Sequence, residues 1–205
     1  MVIVIINLDT AKIFESAILF LFVDRCQWAI DEPNISYHDN EWCTPVHDDQ
    51  KLFEFLILEG AQAGLSWTTI LKRRNGYRKA FSNFDPKKVA KFNEKKISLL
   101  LLDDAIIRNK LKVASAVNNA KQFLKIQKEF GTFDKYIWSF VNHKPIKNNF
   151  AKYSELPSST PVSENLSRDL KKRGFTFVGP TICYALMQAI GMVNDHTSDC
   201  FRYKK

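Results

Sequence analysis

The chain has 205 residues, 45% of them hydrophobic and 25% charged, with a formal net charge of +8. That length can bury a sizeable core as one domain, and the positive excess favours an anionic partner such as nucleic acid. The four cysteines, Cys26, Cys43, Cys183 and Cys200, are too few and too scattered for a disulfide framework, so free thiols or thiolate ligands in a reducing cytoplasm are expected.

The chain opens on an apolar stretch, "MVIVIINLDTAKIFESAILFLFV". It lacks the basic start of a secretory signal. Asp9, Lys12 and Glu15 break it short of the run of about 20 apolar residues that a membrane span needs. Residues 1–23 therefore read as an extension packed on the body, with a surface anchor as the competing reading. Residues 24–205 read as a single helical domain with no membrane partner.

Residues 24–48 are loop-rich and hold Trp28, Tyr37 and Trp42. From residue 49 the period changes: Leu52, Phe53, Leu56 and Ile57 form a helical stripe, which Gly60 and Gly64 interrupt before "GLSWTTILKRR" resumes it. "FDPKKVAKF" has a helix start, with Asp85 as cap and Pro86 in the first turn. "EKKISLLLL" is a short helix, separated by "DDAIIRNKLK" from a longer one whose face is Val113, Ala116, Val117, Ala120, Phe123 and Leu124. A further helix covers "TFDKYIWSFV".

The polar, Pro-bearing stretch 143–163 is a long loop, of the kind that usually carries function or disorder. "SENLSRDLKKRG" is a basic helix closed by Gly174, and "TICYALMQAIG" is apolar all round and should be buried. With no strand series and no repeat, the class is mostly α.

Near the chain's end, "GMVNDHTSDC" sets His196 and Cys200 four apart, the spacing that stacks two side chains on one helical face. A structural zinc takes four nitrogen and sulfur ligands. Cys26 and His38 in the loop-rich segment are candidates for the other two, with Cys43 and His47 as rivals; Cys183 reads as core. Two cysteines and two histidines would staple the chain's ends together and leave no open position for a catalytic water.

A second group, in "YHDNEW" and "LEGAQAGLSW", comprises Tyr37, Trp42, Glu59 and Trp67. Aromatic faces with one carboxylate suit a flat cationic ligand, through the ring quadrupole and a charge-assisted hydrogen bond. The bland alternative places the tryptophans in the core and Glu59 in solvent at a helix end.

Taken in order, "RCQW", "YHDNEW", "LEGAQAGLSW", "AIIRNKLK", "WSFVNHKP", "KKRGFTFVGPTICYALMQAIGMVNDH" and Cys200 resemble the DNA-3-methyladenine glycosylase I family, from about Arg25 to Tyr203. The resemblance implies a small fold of the helix-hairpin-helix superfamily. It implies one structural Zn2+ per chain on Cys26, His38, His196 and Cys200, joining the N- and C-terminal segments. It also implies a base pocket on Trp28, Tyr37, Trp42, Glu59 and Trp67.

The implied reaction is hydrolysis of the N-glycosidic bond of 3-methyladenine in alkylated double-stranded DNA, by a monomer that flips the base into the pocket. Glu59 would complement the charge of the base. The hairpin "DDAIIRNKLK", with Arg108, Lys110 and Lys112, would hold phosphate, and Leu65 would wedge into the vacated stack. Their plainer readings are a solvated turn and core packing.

Two positions depart from the family pattern: Ala105 stands where a hairpin Gly is expected, a cost of about 1 kcal/mol if φ is positive there. Cys43 likewise stands where Gly is expected. The competing function is a zinc-stabilised module that binds lesions without cutting. A zinc hydrolase is disfavoured by the filled ligand shell.

Overall fold

The structure, a computed structural model, describes residues 23–203. The expectation for the apolar extension therefore falls, but for Val23, outside the described residues. Among those residues are nine α-helices and one two-stranded parallel ladder, and no helix is long and apolar enough to cross a membrane.

The helices are α1 (Asn34–Asn40), α2 (Asp49–Gln62), α3 (Trp67–Ala80), α4 (Pro86–Val89), α5 (Glu94–Leu100), α6 (Lys110–Phe130), α7 (Phe133–Trp138), α8 (Pro161–Lys172) and α9 (Pro180–Ala189). Their starts are written in side chains. Asp48, Ser66, Asp85, Asn93, Asn109, Thr132 and Thr160 each cap a helix by accepting from a backbone N–H of its first turn.

Helix α2 is the centre of the molecule. Every residue from Leu52 to Ala61 is buried, and α3, α6, α7 and α9 pack around it. Gly60 lies inside this helix against Phe177 and does not interrupt it. Gly64 does break the chain: at φ +76 it turns the backbone from the end of α2 into the Ser66 cap of α3.

Two carboxylates are buried on α2 and they are treated differently. Glu54 accepts from Arg74 Nε at 2.6 Å and Arg78 Nε at 3.0 Å. Arg74 also grips Glu41 through both terminal nitrogens, at 2.8 and 2.9 Å, tying the end of α1 to α2 and α3. Glu59 has no such partner among the described residues.

Helices α5 and α6 are joined by the hairpin 101–109. Asp103 Oδ1 accepts from the Ala105 amide at 2.9 Å, and the Ile107 amide donates to the Tyr77 hydroxyl at 3.2 Å. The hairpin lies so close to α3 that a Cβ on Gly76 would sit 2.3 Å from the Ala105 carbonyl oxygen. Ala105 is not among the positive-φ residues, so the strain expected of it does not arise. Cys43 does sit at φ 57, the left-handed region where glycine is at ease.

The tail departs from expectation. His196 and Cys200 do not share a helix. Strand β1 (Ile146–Lys147) pairs in parallel with β2 (Val193–Asn194), and residues 195–197 continue without helical turns. The Ser198 amide donates to the Phe150 carbonyl at 2.9 Å, and a tight turn brings the Cys200 amide to the Thr197 carbonyl at 2.8 Å. Asn194, Asp195, Thr197, Ser198 and Asp199 are poor helix formers whose side chains compete for backbone groups. Long-range pairing wins over local i−4 bonds.

Candidate active site

Asp195 anchors the tail. Fully buried, it accepts from Asn148 Nδ2 at 2.6 Å, from Gln188 Nε2 at 2.8 Å, and from the Tyr184 hydroxyl. That fixes the next residue, His196, against the start of the chain. Cys26, His38, His196 and Cys200 converge there, all buried, with one ligand atom each inside a 4.8 Å cluster.

The edges of the cluster can be tested against a metal. Tetrahedral zinc, at about 2.3 Å from sulfur and about 2.0–2.1 Å from nitrogen, sets S···N edges of about 3.5 Å. His196 Nδ1 lies 3.6 Å from Cys26 Sγ and 3.5 Å from Cys200 Sγ, and His38 Nε2 lies 3.4 Å from Cys200 Sγ. The residues fit the ion.

The surrounding bonds fit as well. Asp39 Oδ1 is 2.7 Å from His38 Nδ1, leaving Nε2 for a ligand, and Arg25 holds Asp39 at 2.8 Å. Amides of Thr197 and Arg202 donate to Cys26 Sγ and Cys200 Sγ at 3.5 and 3.4 Å. Hydrogen bonds from Cys26, His196 and His38 hold the Cys200 thiol below its ordinary range, while the hydrogen bond with Cys200 and burial push the Cys26 thiol up.

The rival ligands are elsewhere. His47 pairs with Asp134 at 2.7 Å on the surface, and the Cys43 sulfur accepts from the Asp195 amide at 3.4 Å. Cys183 is a core residue, donating to the Val178 carbonyl at 3.4 Å.

Beside the cluster is a cavity of about 310 Å³, lined by Trp28, Tyr37, Trp42, Glu59 and Trp67, with Asn34, Gln62, Thr68, Tyr153, Ala185 and Gln188. All five pocket residues singled out from the sequence meet there. The last six were not foreseen. Asn34 and Thr68 are explained by a bond between them at 2.9 Å, which joins α1 to the start of α3.

The aromatic walls lean on the two histidines of the quartet. Trp42 meets His196 edge-on at 4.7 Å and stacks on His38 at 6.1 Å; Trp28 meets Trp42 at 5.0 Å and His38 at 5.4 Å. Tyr37 meets Trp67 at a tilt, with centroids 5.3 Å apart, in the pocket wall.

Glu59 is only 4% exposed, and its carboxyl receives no hydrogen bond from the described residues. Burial pushes its pKa up to about 8, so the empty pocket holds it protonated at neutral pH. Burial and the nearby Glu59 likewise push Tyr37 well above its usual range and keep its hydroxyl a donor.

The remaining candidates lie outside the cavity. Leu65, in the turn between α2 and α3, is 39% exposed and is not core. Arg108 and Lys110 are exposed on the hairpin side of α6. Lys112 is committed elsewhere: its ammonium donates to the Ala61 and Ala63 carbonyls at 2.7 and 2.6 Å, closing the end of α2.

Comparison with known proteins agrees with this geometry. DNA-3-methyladenine glycosylase 1 of Escherichia coli is 48% identical over 182 residues, 88% of this chain and 97% of that protein. DNA-3-methyladenine glycosylase of Haemophilus influenzae is 50% identical over 177 residues, 86% of this chain and 96% of that protein. Among solved structures, 3-methyladenine DNA glycosylase I from Staphylococcus aureus superposes with a TM-score of 0.85 at 36% identity, covering 88% of this chain and 97% of that one. A variant of such an enzyme in complex with 3-methyladenine also gives a TM-score of 0.85 at 36% identity, covering 88% and 98%. The profile of the methyladenine glycosylases matches residues 27–203, nearly all of the chain outside the apolar stretch, and the chain belongs to that family.

Proposed function

We propose that this chain is a DNA repair glycosylase that hydrolyses the N-glycosidic bond of 3-methyladenine in alkylated double-stranded DNA. One observation carries the reading: a buried carboxyl, left without a protein partner, in a cavity walled by Trp28, Tyr37, Trp42 and Trp67. A buried group in that state costs stability unless a ligand answers it.

A purine alkylated at ring nitrogen 3 is cationic while attached to the sugar. Ionising Glu59 at pH 7 costs on the order of 1 kcal/mol, given a pKa of about 8. A cationic base recovers that cost by facing the carboxylate, and neutral adenine does not. Selection therefore rests on charge, with the aromatic faces adding attraction to the cation.

When the C1′–N bond breaks, the bonding pair stays with the base and neutralises it. Water supplies its oxygen to C1′, and one proton is released. The product no longer pairs with a carboxylate, so Glu59 regains its proton as the base loses its charge. Flipping is the entry step, with Leu65 filling the gap in the stack and the amides of the 101–109 hairpin, flanked by Arg108 and Lys110, meeting phosphate.

On this reading α5, the hairpin and α6 are the helix-hairpin-helix element, and residues 24–205 act as one monomeric unit. Cys26, His38, His196 and Cys200 would hold one zinc, which when bound ties the chain's ends and leaves no position for water. Two thiolates cancel its charge, so it does not repel the cationic base. Reduced thiols in all four cysteines suit a cytoplasmic enzyme.

Incubating the protein with methylated duplex DNA should release free 3-methyladenine. Binding of that DNA with no base released would overturn the assignment.

A further inference from the structure

We infer that Tyr153 is a substrate-binding residue that closes the outer side of the pocket by stacking over the flipped nucleotide. This rests on the proposed base-excision reading of the same site. Tyr153 lines the cavity with Trp28, Tyr37, Trp42, Glu59 and Trp67, yet it comes from the long 143–160 connection rather than from the helices that build the floor.

Its exposure sets it apart. Tyr37 and Trp42 are 4% and 7% exposed, whereas Tyr153 is 46% exposed. It therefore stands at the mouth. Among the described residues its hydroxyl makes no hydrogen bond and its ring makes no aromatic contact, and it is outside the core cluster. An aromatic ring left half bare beside a cavity gains apolar contact only when something fills that cavity.

The backbone that carries the ring is nonetheless held in place. Glu155 Oε2 accepts from the Ala151 and Lys152 amides at 2.8 and 3.4 Å, and the Leu156 amide donates to the Tyr153 carbonyl at 3.2 Å. Upstream, β1 pairs with β2 and Phe150 accepts from Ser198. The connection that carries Tyr153 is thus fastened to the segment that runs from β2 into His196, and the backbone that presents the ring is fixed at the mouth of the pocket.

Tyr153→Ala and Tyr153→Phe separate the possibilities. Base–aromatic stacking predicts that Tyr153→Ala weakens binding of free 3-methyladenine roughly tenfold and raises the half-saturating concentration of lesion DNA by a similar factor. Tyr153→Phe should restore both, because the ring makes the contact. The melting temperature should stay near the wild-type value, since the ring is outside the core. Wild-type affinity for base and lesion DNA in Tyr153→Ala would overturn the proposal, as would losses matched by a fall in melting temperature that Phe does not rescue. Failure of the wild-type protein itself to release base would instead strike the underlying glycosylase reading.

Discussion

The Trp42 indole meets the His196 imidazole edge-on, with centroids 4.7 Å apart and planes at 81°. One ring walls the cavity and the other belongs to the Cys/His quartet that could hold a metal, so the two sites share a wall. A metal at Cys26, His38, His196 and Cys200 would therefore shape the pocket as well as tie the ends of the chain. Chelation, or His196→Ala, should lower the melting temperature, change tryptophan fluorescence and weaken binding of free 3-methyladenine. A stable protein with unaltered fluorescence and base affinity after chelation would sever that link.

Asp39 should matter for the metal without touching it. Its carboxylate is 2.7 Å from His38 Nδ1 and is held by Arg25. Asp39→Asn should cut metal affinity about 10–100-fold, measured by competition with a chromogenic chelator. Affinity equal to wild type would show that His38 needs no such orientation.

Glu59 should destabilise the fold as pH rises. Its folded pKa of about 8 lies above the unfolded carboxyl value, so its stabilising protonation is complete at acid pH and is lost as pH rises through the folded value. Glu59→Gln should therefore melt above wild type at pH 8, with the gap closing towards pH 4. A gap independent of pH would mean that the carboxyl is not neutral in the empty pocket.

Arg74→Ala should be severe. It leaves Glu54 buried with only Arg78 and breaks the two-pronged grip on Glu41. Losing one partner of a buried pair costs about 3–5 kcal/mol, readable by urea denaturation. A loss below about 1 kcal/mol would place the network among weak surface pairs.

Gly76→Ala should separate DNA grip from base recognition. The added Cβ would meet the Ala105 carbonyl and push the hairpin off α3, and the hairpin contributes no residue to the cavity lining. DNA affinity should fall while affinity for free 3-methyladenine holds; the reverse pattern would take the hairpin out of the DNA interface.

Much of the helical framework is legible along the chain because caps and stops are local. Asp85-Pro86 opens α4 and Gly174, at φ +88, follows α8, both as their neighbours dictate. Helix α1 escaped notice because "NISYHDN" has no apolar period; tertiary contacts, including Asn34 to Thr68, hold it. The tail misled for the opposite reason: a helical spacing sits on a segment held by β2 pairing, by Ser198 to Phe150 and by a tight i−3 turn rather than by i−4 bonds.

At the site, residue types were legible and partnerships were not. Glu54 and Glu59 look alike in sequence; only the fold gives one an arginine and leaves the other alone. Lys112 looked like a phosphate ligand until α6 laid it against the end of α2. Tyr153 carried no signal beyond the length of its loop.

The pH profile of single-turnover base release, at enzyme concentrations below saturation, tests the central claim most directly, since it reports groups of the free enzyme. The lesion's charge is fixed, so the profile reads the protein. Wild-type rates should climb with pH and level off near pH 8, where Glu59 ionises. Glu59→Gln should be slow and flat across the same range. A flat wild-type profile, or a climb that survives in Glu59→Gln, would contradict a pocket that selects by the charge of one carboxylate.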